Sequence, residues 1–220
     1  MSLYRDRADA GRQVAARLRD YKGNNDVLVL ALPRGGVPVA FEVATAIEAP
    51  LDVLCVRKLG TPGQPELAMG AIASGGVRVM NEDVLRSLGI GEEEIEAVAR
   101  RELLELARRE QAYRGDRKAL EIAGKIVVLV DDGVATGATM RAAVAALRQL
   151  GSTRVIVDVP HGAEETCAKL RREADEVVCL ASPWPYVAVG RWYENFSQTS
   201  DAEVAELLEV AHETRAARSE

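Results

Sequence analysis

The sequence predicts an α/β protein: a doubly wound parallel sheet carrying an inserted hairpin and a long helix, with a small C-terminal hood. Short runs rich in Val, Ile and Leu recur along the chain, most of them are separated by stretches of helical spacing, and one region, 59–115, breaks that rhythm. Strands that alternate with helices run parallel and are covered on both faces, so their sequences are apolar throughout.

The strand-like runs are Asp26 to Leu32, Leu51 to Val56, Lys125 to Val130, Thr153 to Val159 and Glu176 to Leu180. Within the interruption, Ala68 to Ala73 and Val77 to Met80 read as a hairpin joined by Ser74, Gly75 and Gly76, and Leu59 to Gly63 reads as a mobile lead-in loop. Glu92 to Tyr113 follows as one long helix. Three glutamates favour its positive end, Gly115 stops it, and Ile95, Ala99, Leu103 and Leu106 give it a narrow apolar stripe. Such a helix is expected on the surface or packed against a second copy in a homodimer. The tail after Leu208 is polar and is expected to fray. With 220 residues, 48% of them hydrophobic, residues 1–220 read as a single domain in which 59–115 is an insertion and 181–220 the hood and tail.

Composition narrows the function classes. No apolar run approaches the length that spans a bilayer and the first residues are charged, so a soluble, cytoplasmic protein without a membrane partner is expected. A net charge of −6 argues against nucleic acid as a partner. Two histidines are too few for a His-rich metal site, and His161, just after a strand end, either faces the crevice or, the favoured expectation, caps or lies at the surface. Cys55, Cys167 and Cys179 form no C-x-x-C pair and read as buried, unpaired thiols.

The stretch "VVLVDDGVATGAT", Val127 to Thr139, does not fit packing. In parallel sheets ligands sit beyond the carboxyl ends of the strands. There Asp131 and Asp132 meet a Gly/Ala/Thr loop that opens a helix near Ala138, an anion cradle beside an acidic pair. The absence of a G-x-x-x-x-G-K-[ST] sequence excludes a Walker A nucleotide site. A phosphoacceptor aspartate or a magnesium site remains open, but a phosphorylated sugar uses every feature: phosphate in the cradle, hydroxyls donating to the carboxylates.

These residues resemble the phosphoribosyl-pyrophosphate (PRPP) motif of the type I phosphoribosyltransferases. The resemblance implies that Asp131 and Asp132 bind the ribose hydroxyls, that Ala135, Thr136, Gly137, Ala138 and Thr139 bind the 5-phosphate, and that Val134 is a spacer. "LPRGG", Leu32 to Gly36, resembles the family's pyrophosphate loop, whose turn peptide is often cis; Arg34 and Gly35 would meet the pyrophosphate. "VRKLGTPG", Val56 to Gly63, resembles the Arg-Lys strand end and loop of adenine phosphoribosyltransferases and adds Arg57 and Lys58 to that subsite. With parallel strands ordered 2-1-3-4-5, the three stretches share one crevice. Bacterial phosphoribosyltransferases known by the motifs PRGG, RK-G-P and DDG-ATG-T look most alike.

The resemblance further implies transfer of phosphoribosyl from PRPP to a nitrogen of a planar acceptor base, with Mg2+ as cofactor held mainly through PRPP oxygens, Asp131 and Asp132 being the protein groups at hand, and the 59–63 loop closing over the ligand. No residue stands out as a catalytic acid or base. Ala135 occupies the place of an aspartate in the 6-oxopurine enzymes, which tilts the acceptor away from hypoxanthine and guanine. Five of nine aromatics fall between Trp184 and Phe196. They are either a small core packing the C-terminal helix onto the sheet or a hood like that of purine enzymes, in which Tyr186 stacks on the base beside Val187. A regulatory protein that senses PRPP or nucleotides on the same fold, with little turnover, is the alternative.

Overall fold

A computed structural model describes residues 2–219. The central sheet holds β1 (Val27–Ala31), β2 (Leu51–Val53), β6 (Ile126–Val130), β7 (Arg154–His161) and β8 (Glu176–Ala181), all parallel, in the order β2-β1-β6-β7-β8. This is the expected order. Alternate residues of each strand feed opposite cores. Val27, Val29 and Ala31 pack with α1 (Arg7–Ala15), α2 (Gly36–Ile47) and α7 (Asp201–Ser219); Leu28 and Leu30 pack with α5 (Ala138–Gln149) and α6 (Glu164–Glu173). Neither sheet face is left to water, and that explains the unbroken apolar runs.

The insertion differs from its expected form. Leu59 to Gly63 is not a loose lead-in: β3 (Val56–Thr61) turns at Pro62 and Gly63 into β4 (Gln64–Ala73), which pairs in turn with β5 (Arg78–Met80) in a three-stranded antiparallel sheet. Gly63, at φ 74°, supplies the left-handed turn residue, and Leu59 is fully buried, so the segment has a packing reason to be ordered. α3 (Glu82–Leu88) precedes α4 (Glu92–Arg114), the expected long helix. Its stripe is corrected at one position. Ile95, Ala99, Leu106 and Tyr113 are buried, but Leu103 is exposed and Glu102 faces inward in its place, where Arg57 meets its carboxylate.

The polar tail after Leu208 is helical. Val204 and Leu208 enter the core, Arg117 donates to the Leu208 carbonyl at 2.9 Å, and α7 extends beyond them to Ser219. The thiols are free, as expected, and Cys55 and Cys167 are buried; the Cys167 and Cys179 sulfurs nevertheless lie 3.2 Å apart, because α6 packs on β8. Among the described residues no helix is long and apolar enough to cross a membrane.

Candidate active site

β6 ends where the strand order makes β1 and β7 its neighbours, and Asp131 to Thr139 emerge there. The stretch is fixed from below. Val134 donates to the His161 carbonyl at 3.0 Å, its own carbonyl accepts from Ala163 at 3.0 Å, and Thr166 Oγ1 donates to the Ala135 carbonyl at 2.6 Å. Gly137, at φ 73°, turns the chain into α5, and a side chain there would strike Thr166 Cγ2 at 2.5 Å. Thr136, Ala138 and Thr139 are exposed on the outer side, at the positive end of α5 where first-turn N–H groups have no intrahelical partner.

The carboxylates sit differently. Asp131 Oδ1 accepts the Asp132 N–H at 2.8 Å; burial, then the neighbouring Asp132 charge, hold Asp131 well above the usual carboxylate range. Burial also raises Asp132, against the opposing pull of Arg7, whose Nε donates to Asp132 Oδ2 at 2.8 Å. Behind them, the Tyr193 hydroxyl donates to the Asp132 carbonyl at 2.5 Å.

Leu32 to Gly36 closes the other wall. Leu32 donates to the Val130 carbonyl at 2.9 Å, and the Pro33–Arg34 peptide is cis. A side chain on Gly35 would collide with the Asp132 carboxylate, and one on Gly36 would lie 2.7 Å from the Val130 carbonyl, so only glycines let the two loops touch. Arg34 leans outward, its Nη1 3.5 Å from Asp201 Oδ1 at the start of α7.

The structure separates Arg57 from Lys58. Both lie on β3, not at the end of a sheet strand beside β1, because the chain breaks from the central sheet after Val53. Arg57 binds Glu102 on α4 with Nε at 3.0 Å and Nη2 at 2.6 Å. Lys58 points to the opposite side, into a cavity of about 640 Å³ that also contains Ala138, Thr139 and Arg141. Only Lys58 of the two therefore faces the start of α5, where Ala138 and Thr139 lie.

The aromatic stretch forms a cluster with partners that the sequence did not suggest. Tyr186 hydroxyl is 2.9 Å from His161 Nδ1, and His161 is wholly buried, stacked on Tyr4 and tilted against Tyr193; it neither caps a helix nor lies at the surface. The cluster packs the hood onto the N-terminal segment, not the C-terminal helix: Leu3 and Tyr4 N–H groups donate to the Trp192 carbonyl, and the Tyr4 carbonyl accepts from Glu194. Tyr186 is part of this cluster, Val187 is exposed, and Trp184 is 92% exposed. Arg7 and Tyr4 were invisible to sequence reasoning, since Arg7 precedes Asp132 by 125 positions and no local pattern links them, whereas Tyr193 was legible only as one of the five clustered aromatics.

Among the described residues no group of three or more His, Cys, Asp or Glu side chains is placed to hold a metal ion. Asp131 and Asp132 alone would leave most of a magnesium octahedron to ligand oxygens and water, which matches that ion's usual preference.

The family model for the phosphoribosyl transferase domain matches residues 2–194. The chain belongs to that family. A solved structure, TT1426 from Thermus thermophilus, is 42% identical with a TM-score of 0.84, covering 94% of this chain and 98% of its own. Two Mycobacterium tuberculosis proteins, from strains CDC 1551 and H37Rv and provisionally named as phosphoribosyl transferases, are each 53% identical over 212 residues. That alignment takes in 96% of this chain, yet the chain spans about half the length of these curated relatives, 48%. The phosphoribosyl transferase domain thus extends from the N-terminal segment under the hood to Glu194, beside Tyr193.

Proposed function

We propose that this protein transfers phosphoribosyl from PRPP to a nitrogen of a planar acceptor, releasing pyrophosphate. The observation that carries this reading is the contact between two loops: Gly35 and Gly36 on one wall lie against Asp132 and Val130 on the other, beside an outward-facing Gly/Thr turn at the start of α5. A phosphate in that turn would leave the ribose over the carboxylates and the pyrophosphate over Arg34, Gly35 and Lys58. Arg57 joins that subsite only if it leaves Glu102.

Cleavage of the anomeric bond builds positive charge on the ribose and negative charge on the leaving group, as in glycoside cleavage. The chain's task is then to position and to offset charge. Asp131 and Asp132 accept the ribose hydroxyls and face the growing positive charge. The Gly35 N–H and the Arg34 and Lys58 cations receive the pyrophosphate. Bound magnesium supplies additional positive charge to the phosphate oxygens. The hairpin turn at Pro62 and Gly63, ordered as it is, can still close over the ligand as a rigid flap.

On the acceptor side, Tyr186 is anchored by His161, so its ring is held at a fixed tilt, with Val187 and Trp184 exposed alongside. Ala135 places no acid there, and the favoured acceptors are adenine-like or other non-6-oxo rings. The deciding experiment measures pyrophosphate release from magnesium-PRPP across a panel of bases. Base-dependent release is expected. PRPP binding with no release for any base would instead identify a sensor.

A further inference from the structure

The ribose carboxylate is already engaged. Arg7 is the first residue of α1, a helix capped by Asp6 and laid so closely on α2 that a side chain at Gly11 would meet the Val39 carbonyl at 2.7 Å. This close approach brings Arg7 across the start of α2 to Asp132. Its Nε donates to Asp132 Oδ2 at 2.8 Å, its Nη1 donates to the Ser197 carbonyl at 2.7 Å, and its guanidinium carbon lies 3.9 Å from the centre of the Phe196 ring. The Arg7 side chain is only 11% exposed.

We propose that Arg7 is a positioning residue for the ribose subsite: delivered by α1 and clamped by hood residues Phe196 and Ser197, it fixes the Asp132 carboxylate against Gly35 in the orientation that receives the sugar. The inference rests on the PRPP reading of Asp132. Two surfaces confine that carboxylate. On one side is the bare Gly35 backbone, with no room for a side chain; on the other is a planar cation. With Arg7 removed, Asp132 is free to turn away from the loop. Arginine suits this place because its planar fork donates in two directions while lying flat on an aromatic ring. Lysine could pair with Asp132 but could not do all three. Arg7 also joins the ribose side of the crevice to the hood, so the position of Asp132 depends on the segment that lies on the acceptor side.

The test measures magnesium-PRPP affinity, PRPP KM and kcat for wild type, Arg7→Lys and Arg7→Gln, with thermal melts alongside. Arg7→Gln should weaken PRPP by about tenfold or more, as the loss of a charge-assisted hydrogen bond predicts. KM should rise more than kcat falls, and Arg7→Lys should recover part of the loss. PRPP affinity within about twofold of wild type, or tighter, in a folded Arg7→Gln protein overturns the proposal. A crystal structure of ligand-free Arg7→Gln supplies an arm that needs no PRPP: the Asp132 carboxylate should leave Gly35, and an unmoved carboxylate overturns the proposal. If wild type fails to bind PRPP, the transferase reading falls, while that crystal structure still decides the role of Arg7. Should Arg7→Gln not fold, Phe196→Leu removes the ring under the guanidinium and keeps the ion pair; it should weaken PRPP severalfold, and an unchanged affinity overturns the proposal.

Discussion

Asp131 and Asp132 stand where packing alone would never put two carboxylates. Each is pushed up by burial and drawn down by the Arg7 charge, but only Asp132 is hydrogen-bonded to Arg7. Neutral amides should therefore have unequal effects. Asp131→Asn should hold or raise the melting temperature, because it removes a half-buried charge that repels its neighbour. Asp132→Asn should lose roughly 1 to 3 kcal/mol by leaving Arg7 without its carboxylate. Both should weaken PRPP, and melts run beside calorimetric titrations check the pair. His161 carries a second expectation. Burial holds its imidazole down at about 4, against about 6.5 in an unfolded chain. Because the folded value lies below the unfolded one, its contribution is complete above about pH 6.5 and is lost as pH falls toward 4. Urea melts of wild type and His161→Phe across that range should diverge by up to about 3 kcal/mol, and parallel slopes would refute this. At this scale the sequence was legible where a residue type defied its surroundings, as the acidic pair and the loop glycines did. Tyr186 was legible only as an aromatic near the crevice, because what its hydroxyl meets depends on His161.

Among the elements, the antiparallel sheet and α4 together decide what becomes of the Arg-Lys pair. Successive residues of a strand point to opposite faces, so Arg57 and Lys58 could never share one task. Arg57 turns to α4 and satisfies Glu102, a carboxylate only 8% exposed; Lys58 turns to the cavity beside α5. Arg57→Ala should thus cost roughly 1 to 3 kcal/mol by leaving the buried Glu102 with only the exposed Arg101, 3.1 Å away, as a partner, with PRPP affinity changed little in the folded protein. Lys58→Ala should stay within about 0.5 kcal/mol of wild type in stability yet weaken PRPP. Reversed effects would place Arg57, not Lys58, at the pyrophosphate. The misread segments have a common cause. Leu59 to Gly63 is rich in Gly and Pro, which mark a hairpin turn as readily as a loop, and the pairing of β3 with β4 is what distinguishes them. Likewise Leu103 has the right spacing for a buried stripe, but its place on α4 is taken by Glu102 because Arg57 is opposite, a fact of tertiary contact and not of periodicity.

At the scale of the molecule, the proposed reaction asks an acidic chain to bind a polyanion, so magnesium and PRPP should act together. Magnesium-PRPP at about 100 times its Kd should stabilise the fold by about 2.7 kcal/mol, visible as a rise in melting temperature, while PRPP with a chelator should give much less. An equal shift without the metal would contradict the proposed role for it. The sheet order and the crevice were legible because strands, helices and the DD motif are each local patterns. The roof of the crevice was not, since it joins residues 2–7 to 192–197 across the whole domain. That join bears on how the protein acquires activity. Arg7 is separated from Asp132 by 125 positions and from Ser197 by 190, the kind of distant contact that forms slowly. A ribosome that has released the five sheet strands has not yet delivered Ser197, so the nascent chain can bury its sheet before it can hold Asp132 in place. Refolding should follow the same sequence, with circular dichroism recovering first and tight PRPP binding lagging behind it.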